Sequence, residues 1–194
     1  MVCSPHAEGG RPDVLFNVMP LSVDKPGDPL HRFSGFSASA TQCRPLSRGT
    51  VQIRSADPLA PPRIVSNYLS DPHDAKVLVA GLRMLREIYR QPAFRDLVTD
   101  DEYLPGREAA DDAALEAFAR HKGGTVFHPA GTCRMGGDVR SVVDSQLRVR
   151  GIERLRVIDA AVMPAMVSTN TNAASIMIAE KGAALVREAQ GGQP

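Results

Sequence analysis

Cysteine is scarce in this sequence, and its spacing argues against both a disulfide framework and a metal centre. The three cysteines, Cys3, Cys43 and Cys133, are an odd number at wide spacing, which fits reduced thiols in a cytoplasmic protein. No Cys-x-x-Cys pair occurs, and the nearest grouping, His128 with Cys133, has too few ligands for structural zinc. We therefore expect no metal ion and interpret Cys133 as a small buried thiol.

A surplus of charge of one sign is also absent, as are long apolar runs. Lys+Arg 23 against Asp+Glu 22 gives a formal net charge of +1, so no overall basic field would hold nucleic acid or an anionic membrane surface. The apolar runs fall short of the roughly 20 residues of a membrane-spanning helix. The N-terminal stretch MVCSPHAEGGRPD lacks a basic region followed by an apolar core. We expect a globular cytoplasmic protein without a membrane span.

Short β-branched or alternating runs predict strands in several places. The run VLFNVM at 14–19 predicts a strand. Residues 33–43 and the segment TVQIR at 50–54 are separated by a Pro/Gly turn, which predicts an antiparallel pair. The proline-rich segment 55–72 is interpreted as irregular. The run LRVID at 155–159 is interpreted as a buried strand.

Three segments have the spacing of amphipathic helices. The first begins after Ser-Asp-Pro at 70–72, which supplies a capping side chain and an early proline, and it ends before Pro92. The second runs from about Asp111 to His121, with acidic residues in its first turn. The third is rich in alanine and runs from about Asn172 to Glu188.

The stretch TVFHPAGTCRMGG at 125–137 places a histidine in an unusual setting. A lone histidine in a loop is most often structural or at the surface, and we expect this of His6, His31, His73 and His121. His128 differs because Phe127 and Pro129 restrict its backbone and several glycines follow it. An imidazole with an ordinary pKa of about 6.5 is the usual proton acceptor near neutral pH.

Two further stretches admit both a structural and a functional interpretation. Five consecutive polar residues at 168–172 precede the last helix, which is more than capping needs. The start of this helix could also stabilise negative charge on a ligand, although spacing alone favours capping. Asp159-Ala160-Ala161 follows a predicted strand where α/β folds admit ligands, and taken alone this segment is best interpreted as a plain turn.

Taken together, these stretches resemble a known family. The segments FHPAGTCRMGG (127–137), VVDSQLRVRGIERLRVIDAAVMP (142–164) and STNTNAASIMIAEKGAALV (168–186) resemble, in order and spacing, the C-terminal signature of the glucose-methanol-choline (GMC) flavoprotein oxidoreductases. The resemblance is strongest to the bacterial choline- and alcohol-dehydrogenase-like branch. Upstream, residues 44–72 are similar to the substrate-domain sheet of that family, so the resemblance extends from about Arg11 to Val186.

The resemblance implies roles for particular residues. His128 matches the histidine held close to the flavin, where it would take the hydroxyl proton of an alcohol or stabilise the alkoxide while a hydride passes to flavin N5. Asn170 matches the second active-site position and would hydrogen-bond the same oxygen. Asp159-Ala160 would contact the pyrophosphate and ribityl chain of FAD, and Asn172-Ala173 would lie by the N1/C2 edge of the flavin.

The resemblance also implies that a part of the enzyme lies outside these residues. Family members begin with a strand, a GxGxxG turn and a helix that bind the ADP half of FAD, and they are more than twice as long; no GxGxxG occurs here. We expect an α+β fold: an antiparallel substrate-domain sheet with flanking helices (12–143), plus the closing strand and C-terminal helix of a Rossmann-like FAD-binding domain whose N-terminal half is absent (144–190). Residues 1–11 and 191–194 are expected to be poorly ordered.

The function implied is FAD-dependent oxidation of an alcohol, with this chain as the C-terminal portion of the enzyme and the missing N-terminal half supplied by another chain or absent. An alternative stays open, in which the product is a truncated, non-catalytic remnant that binds no FAD by itself. The sequence does not identify the alcohol, and it does not distinguish oxygen from a quinone or another electron acceptor.

Overall fold

The described part of the chain combines helices with two small antiparallel sheets. The structure is a computed structural model that describes residues 1–25, 27–98 and 102–191. The strands are β1 (Val14–Met19), β2 (Ser37–Gln42), β3 (Thr50–Gln52) and β4 (Arg63–Val65), and the α-helices are α1 (Pro72–Tyr89), α2 (Asp112–Lys122) and α3 (Asn172–Ala189). Short 3-10 helices lie at Glu8–Gly10, Pro92–Phe94 and Ala160–Val162. The fold is therefore α+β. Within the described ranges, no helix combines the length and apolarity needed to cross a bilayer.

The chain divides into two compact units that are each discontinuous in sequence. The first unit contains Met1–Ser47 and Tyr68–Gly124, and the second contains Arg48–Asn67 and the chain from Thr125 onward. The first unit thus holds β1, β2, α1 and α2, and the second holds β3, β4 and α3. The segments 12–143 and 144–190 expected from the resemblance refer to domains of a longer protein, and that expectation stays a prediction.

The strand predicted at 14–19 is confirmed, but its partner differs from the expected arrangement. β1 pairs antiparallel with β2, from Val14 opposite Gln42 to Met19 opposite Ser37. β3 pairs antiparallel with β4, which lies inside the segment predicted to be irregular. The predicted pairing of 33–43 with 50–54 is therefore wrong. In the intervening turn, the backbone N–H groups of Leu46 and Ser47 donate to the carboxylate of Asp74 on α1.

Local signals explain where α1 and α2 begin. The carboxylate of Asp71 accepts a hydrogen bond of 2.9 Å from the His73 N–H, and Pro72 occupies the first turn of α1. The carboxylate of Asp111 accepts from the Ala114 N–H at the start of α2. Both helices therefore begin as the sequence predicts.

The core of the first unit lies where α1 packs against its neighbours. Leu115 of α2 is fully buried and packs with Val79 of α1. On β2, small side chains let α1 approach closely, since a Cβ added at Gly81 would lie 2.9 Å from the Cβ of Ala40. Burial of these apolar faces stabilises the unit.

The first eleven residues, expected to be poorly ordered, are hydrogen-bonded to the start of β1. The Val2 N–H donates to the Val14 carbonyl over 2.9 Å. The Ser4 hydroxyl donates to the Asp13 carboxylate over 2.6 Å, and both side chains are buried. A buried polar pair of this kind holds the terminal segment against the strand, an arrangement that composition alone does not predict. Of the tail 191–194, residues 192–194 lie outside the described residues.

The second unit has its own core around α3. The buried members of this core are Val143, Leu147, Val162, Met163, Ile178 and Leu185. Gly182 lies on the buried face of α3, and a Cβ placed there would overlap the side chain of Ile158. Among the described residues, the strand predicted at 155–159 is present only as an isolated antiparallel bridge between Arg148 and Arg156. On either side of this bridge the Val149 N–H donates to the Leu155 carbonyl and the Val157 N–H donates to the Leu147 carbonyl.

Candidate active site

The loop that carries His128 has a constrained backbone. Phe127 adopts a φ of 61°, in the left-handed region that bulky residues rarely enter. Its N–H donates to the Thr125 hydroxyl over 2.9 Å, and its ring is 74% exposed. Pro129 restricts the backbone of His128 from the other side. The imidazole is therefore placed by backbone restrictions on both sides.

A set of backbone hydrogen bonds ties this loop to the segment that contains Asp159. The N–H groups of alternate residues donate to successive carbonyls: Gly131 to Ala160 (3.2 Å), Cys133 to Ala161 (2.9 Å) and Met135 to Val162 (2.8 Å). At Gly131 the φ is 82°, and an added Cβ would lie 3.1 Å from the Met163 carbonyl. The two segments that the resemblance assigns to the substrate and the cofactor are thus joined directly.

The far end of the loop is fixed by a bidentate ion pair. Both terminal nitrogens of Arg134 donate to the Asp138 carboxylate, at 2.9 and 2.7 Å. This hydrogen bonding, with a further bond from the Arg140 N–H, lowers the pKa of Asp138 to about 2. Asp138 therefore stays ionised, and its ion pair with Arg134 connects the two ends of the segment 134–138.

Both ring nitrogens of His128 have partners at the start of α3. Nε2 lies 2.9 Å from the Asn170 amide nitrogen, and Nδ1 lies 3.1 Å from the Thr171 hydroxyl. The structure thus brings His128 and Asn170 together although they are 42 residues apart in sequence. Such an arrangement fixes the plane of the ring and can hold or release a proton at a defined atom.

Thr171 contacts His128 in the candidate site and was missed by the sequence reasoning. It is the residue that precedes α3, it is 8% exposed, and its side chain makes no capping hydrogen bond. The capping interpretation favoured by spacing is therefore wrong for this residue, since its hydroxyl faces His128 instead. The available signal was the surplus of polar residues at 168–172, which exceeds the needs of a helix start.

The remaining predicted site residues flank this cluster. Asp159 accepts a hydrogen bond of 2.7 Å from the Ala161 N–H at the start of the 3-10 helix. The carbonyl of Ala160 accepts from Gly131, three residues after His128. Asn172 and Ala173 form the exposed first turn of α3. Their placement is compatible with the assigned contacts, and their roles toward a cofactor stay predictions.

The cysteines and the other acidic groups add no metal centre to this region. Cys133 is half-buried and its thiol is unpaired. Across residues 1–25, 27–98 and 102–191, no group of three or more His, Cys, Asp or Glu side chains is arranged to hold a metal ion.

Curated proteins similar to this chain are alcohol-oxidising enzymes by name. An oxygen-dependent choline dehydrogenase from Proteus mirabilis is 42% identical over 170 residues, which cover 88% of this chain and 30% of that protein. An alcohol dehydrogenase (acceptor) from Pseudomonas putida is 39% identical over 179 residues, covering 92% and 32% respectively. The chain thus spans about a third of the length of these curated relatives.

The fold is similar to that of a solved flavoenzyme. An FAD-dependent oxidoreductase from Chaetomium thermophilum superimposes with a TM-score of 0.75 at 32% identity, covering 82% of this chain and 28% of that one. A family model described as GMC oxidoreductase matches residues 45–179, a range that includes both His128 and Asn170. The chain therefore belongs to the GMC oxidoreductase family.

Proposed function

We propose that this chain is the C-terminal part of an FAD-dependent oxidoreductase that oxidises the CH–OH group of an alcohol. The observation that carries the proposal is the pairing of His128 Nε2 with the Asn170 amide at 2.9 Å. A proton acceptor and a hydrogen-bond donor so close together can act on a single oxygen atom. The names of the choline and alcohol dehydrogenases among its relatives support the alcohol class.

His128 would act as the proton acceptor of this reaction. The alcohol hydroxyl would take the place of the Asn170 N–H at Nε2 and give its proton to that nitrogen. The displaced Asn170 amide would then donate a hydrogen bond to the alkoxide oxygen that forms. Bound FAD supplies the acceptor for the hydride that leaves the carbon. The fixed ring plane of His128 matters because proton and hydride must leave one carbinol group in a defined orientation, and small misplacements slow such steps.

The residues assigned to FAD have features that fit it. The Thr171 side chain does not cap α3, and the first turn of this helix, at Asn172 and Ala173, is exposed. A helix start of this kind suits the carbonyl edge of a flavin and stabilises negative charge on its reduced ring. Asp159 is exposed, and one of its carboxylate oxygens is engaged by Ala161. The other oxygen and the adjoining Ala160 would hold the ribityl chain and the pyrophosphate.

We further propose that residues 144–190 complete an FAD-binding domain. The segment 155–159 would be its closing strand and α3 its last helix, with 12–143 belonging to a substrate domain. Since no GxGxxG occurs among the 194 residues, the phosphate-binding half would come from elsewhere in a longer protein or from another chain. The isolated bridge at Arg156 is compatible with a strand that pairs in that larger sheet.

The experiment that tests this function uses the chain joined to the GxGxxG half of a relative. His128→Ala should slow flavin reduction by the alcohol roughly 10²–10⁴-fold, the range for loss of a positioned general base. FAD content should change little. Asn170→Ala should slow reduction less, because it removes a hydrogen bond and leaves the proton acceptor in place. Anaerobic rapid mixing with detection of flavin bleaching measures the step directly.

The matched control is His121→Ala. His121 is exposed in the last turn of α2 and should leave the rate nearly unchanged. Equal rates for the wild type and His128→Ala would show that His128 is structural and would refute the proposed function.

A further inference from the structure

The side chain of Thr171 departs from the usual behaviour of a threonine at a helix start. At that position a threonine hydroxyl normally accepts a hydrogen bond from an N–H of the first turn. Here the backbone of Thr171 is helical (φ −76°, ψ −9°), and no such bond forms. Its Oγ1 lies 3.1 Å from Nδ1 of His128, in a side chain that is 8% exposed. The residue forgoes a capping bond and contacts the imidazole.

The donors and acceptors around His128 define where its proton lies. The Asn170 nitrogen at 2.9 Å from Nε2 belongs to an amide NH₂, which can only donate. Nε2 must therefore be the acceptor and carry the lone pair. The single proton of the neutral ring then lies on Nδ1 and is donated to the Thr171 hydroxyl oxygen.

We propose that Thr171 is a positioning residue that holds His128 in its Nδ1–H tautomer. The inference rests on the proposed function, in which the imidazole accepts the alcohol proton, and it deepens that function by naming Nε2 as the accepting atom. Thr171 does not touch the reacting atoms. It acts through His128 by supplying a buried acceptor for the Nδ1 proton, and a valine of similar shape would leave that proton without a partner.

The first test reads the tautomer without any cofactor. The 194-residue chain is labelled with ¹⁵N-histidine, and the ring nitrogens of His128 are assigned by comparison with His128→Ala. In the wild type, Nδ1 should have the chemical shift of a protonated nitrogen and Nε2 that of a nitrogen with a lone pair. Thr171→Val should move the shifts toward a mixture of tautomers, and Thr171→Ser, which keeps the hydroxyl, should restore the wild-type pattern.

The second test measures the rate in the protein joined to the GxGxxG half. Thr171→Val should slow flavin reduction roughly 10- to 100-fold, the range for loss of a partner that orients a functional histidine. Thr171→Ser should keep a rate close to the wild type. Thr169→Val is the matched control, because Thr169 is exposed and no hydrogen bond of its side chain is seen in the described part of the chain.

The outcomes separate this inference from the proposed function. A proton on Nε2 in the wild type, or identical ring shifts and rates in the wild type and Thr171→Val, would overturn the role of Thr171. If His128→Ala still slowed reduction, the proposed function would stand. If His128→Ala had no effect on the rate, the proposed function would fail whatever the tautomer.

Discussion

At the scale of single residues, Asp74 and Thr171 both connect segments that are distant in sequence through side-chain hydrogen bonds. Asp74 does so in the first unit. Its side chain is 1% exposed and lies in the first turn of α1. It accepts hydrogen bonds of 2.8 Å each from the Gln42 amide, the Leu46 N–H and the Ser47 N–H. One buried carboxylate therefore joins the end of β2, the following turn and α1.

Acid should weaken the hydrogen bonds that the Asp74 carboxylate accepts. Burial raises the pKa of Asp74, but the hydrogen bonds from Ser47, Leu46 and Gln42 outweigh it and hold the pKa below the ordinary value of 3.8. Because the folded pKa is lower than the unfolded one, the carboxylate stabilises the fold above the unfolded pKa, and this contribution is lost as pH falls through the folded pKa. Asp74→Ala should lower the free energy of unfolding at neutral pH by about 1.5–3 kcal/mol.

Urea unfolding of the wild type and Asp74→Ala at several pH values checks this prediction. The difference in unfolding free energy should shrink below about pH 4, because the carboxylate of the unfolded chain is protonated there while the folded carboxylate, with its lower pKa, is still ionised. Asp28→Ala, at an exposed aspartate, is the control and should show no such pH-dependent difference. A difference that stayed constant down to about pH 3 would contradict an ionised, hydrogen-bonded Asp74.

Residue identity predicts some of these roles and not others. The sequence marks His128 because its restricting neighbours are adjacent to it. It does not mark Asp74, whose partners lie 27, 28 and 32 residues away and whose position in a first helical turn has an ordinary explanation. Thr171 escapes for the same reason, since its place before a helix predicts a cap and its partner is 43 residues distant.

At the scale of elements, α3 packs closely against Ile158, which lies just before the 3-10 helix Ala160–Val162. This close packing depends on Gly182, which has no side chain. Gly182 is buried in the interior of α3, where alanine would raise helix propensity by roughly 0.5–1 kcal/mol. An added Cβ would nonetheless overlap Cγ2 of Ile158, an atom next to the backbone that cannot swing away. Overpacking of this kind costs about 1–3 kcal/mol, so Gly182→Ala should destabilise the second unit.

Thermal unfolding of Gly182→Ala, followed by circular dichroism, should show a lower midpoint than the wild type. Gly124→Ala is the matched glycine control, because a Cβ there would meet no atom within 4 Å. The double variant Gly182→Ala with Ile158→Val offers a second reading. Valine at position 158 keeps the Cγ2 methyl that an added Cβ at residue 182 would overlap, so this variant should not recover the wild-type unfolding midpoint. Full recovery would refute the proposed contact between residue 182 and Cγ2 of Ile158.

Elements were predictable to the extent that their signals are local. Helices α1 and α2 begin at the capping aspartates Asp71 and Asp111, and α3 follows a run of polar residues, so all three helices were predicted within a few residues. Strand pairing is not local. β2 pairs with β1, which lies 18 or more residues earlier in the chain, and β4 is a strand of three residues in a proline-rich segment. No pattern within a few residues distinguishes those partners.

At the scale of the whole molecule, the chain corresponds to about a third of the curated enzymes it matches. By the resemblance, Asp159 and Ala160 would contact the pyrophosphate and ribityl chain of FAD, and Asn172 and Ala173 would contact the flavin edge. No GxGxxG is present among the 194 residues to bind the ADP half. The purified 194-residue chain should therefore be colourless or bind FAD weakly. An absorption spectrum with a flavin titration measures this, and the fusion to a GxGxxG half is the positive control.

A stoichiometric yellow complex of the chain alone would overturn that prediction. It would mean that the contacts of the second unit suffice for tight binding without the glycine turn.

The family was predictable at this scale because its motifs span most of the chain. The whole cofactor site was not predictable, since no GxGxxG turn to bind the ADP half of FAD occurs among these 194 residues.

The left-handed backbone at Phe127 helps to fix the orientation of His128 when the protein folds, before any ligand binds. Fixing one side chain in one orientation costs conformational entropy, and this loss can fall either on folding or on ligand binding. With Phe127 at a φ of 61°, Pro129 behind the imidazole and partners on both ring nitrogens, His128 is immobilised as soon as the second unit folds. If His128 is the base of the proposed function, an arriving alcohol would meet an imidazole whose orientation is already set by these contacts, and substrate binding would lose less conformational entropy.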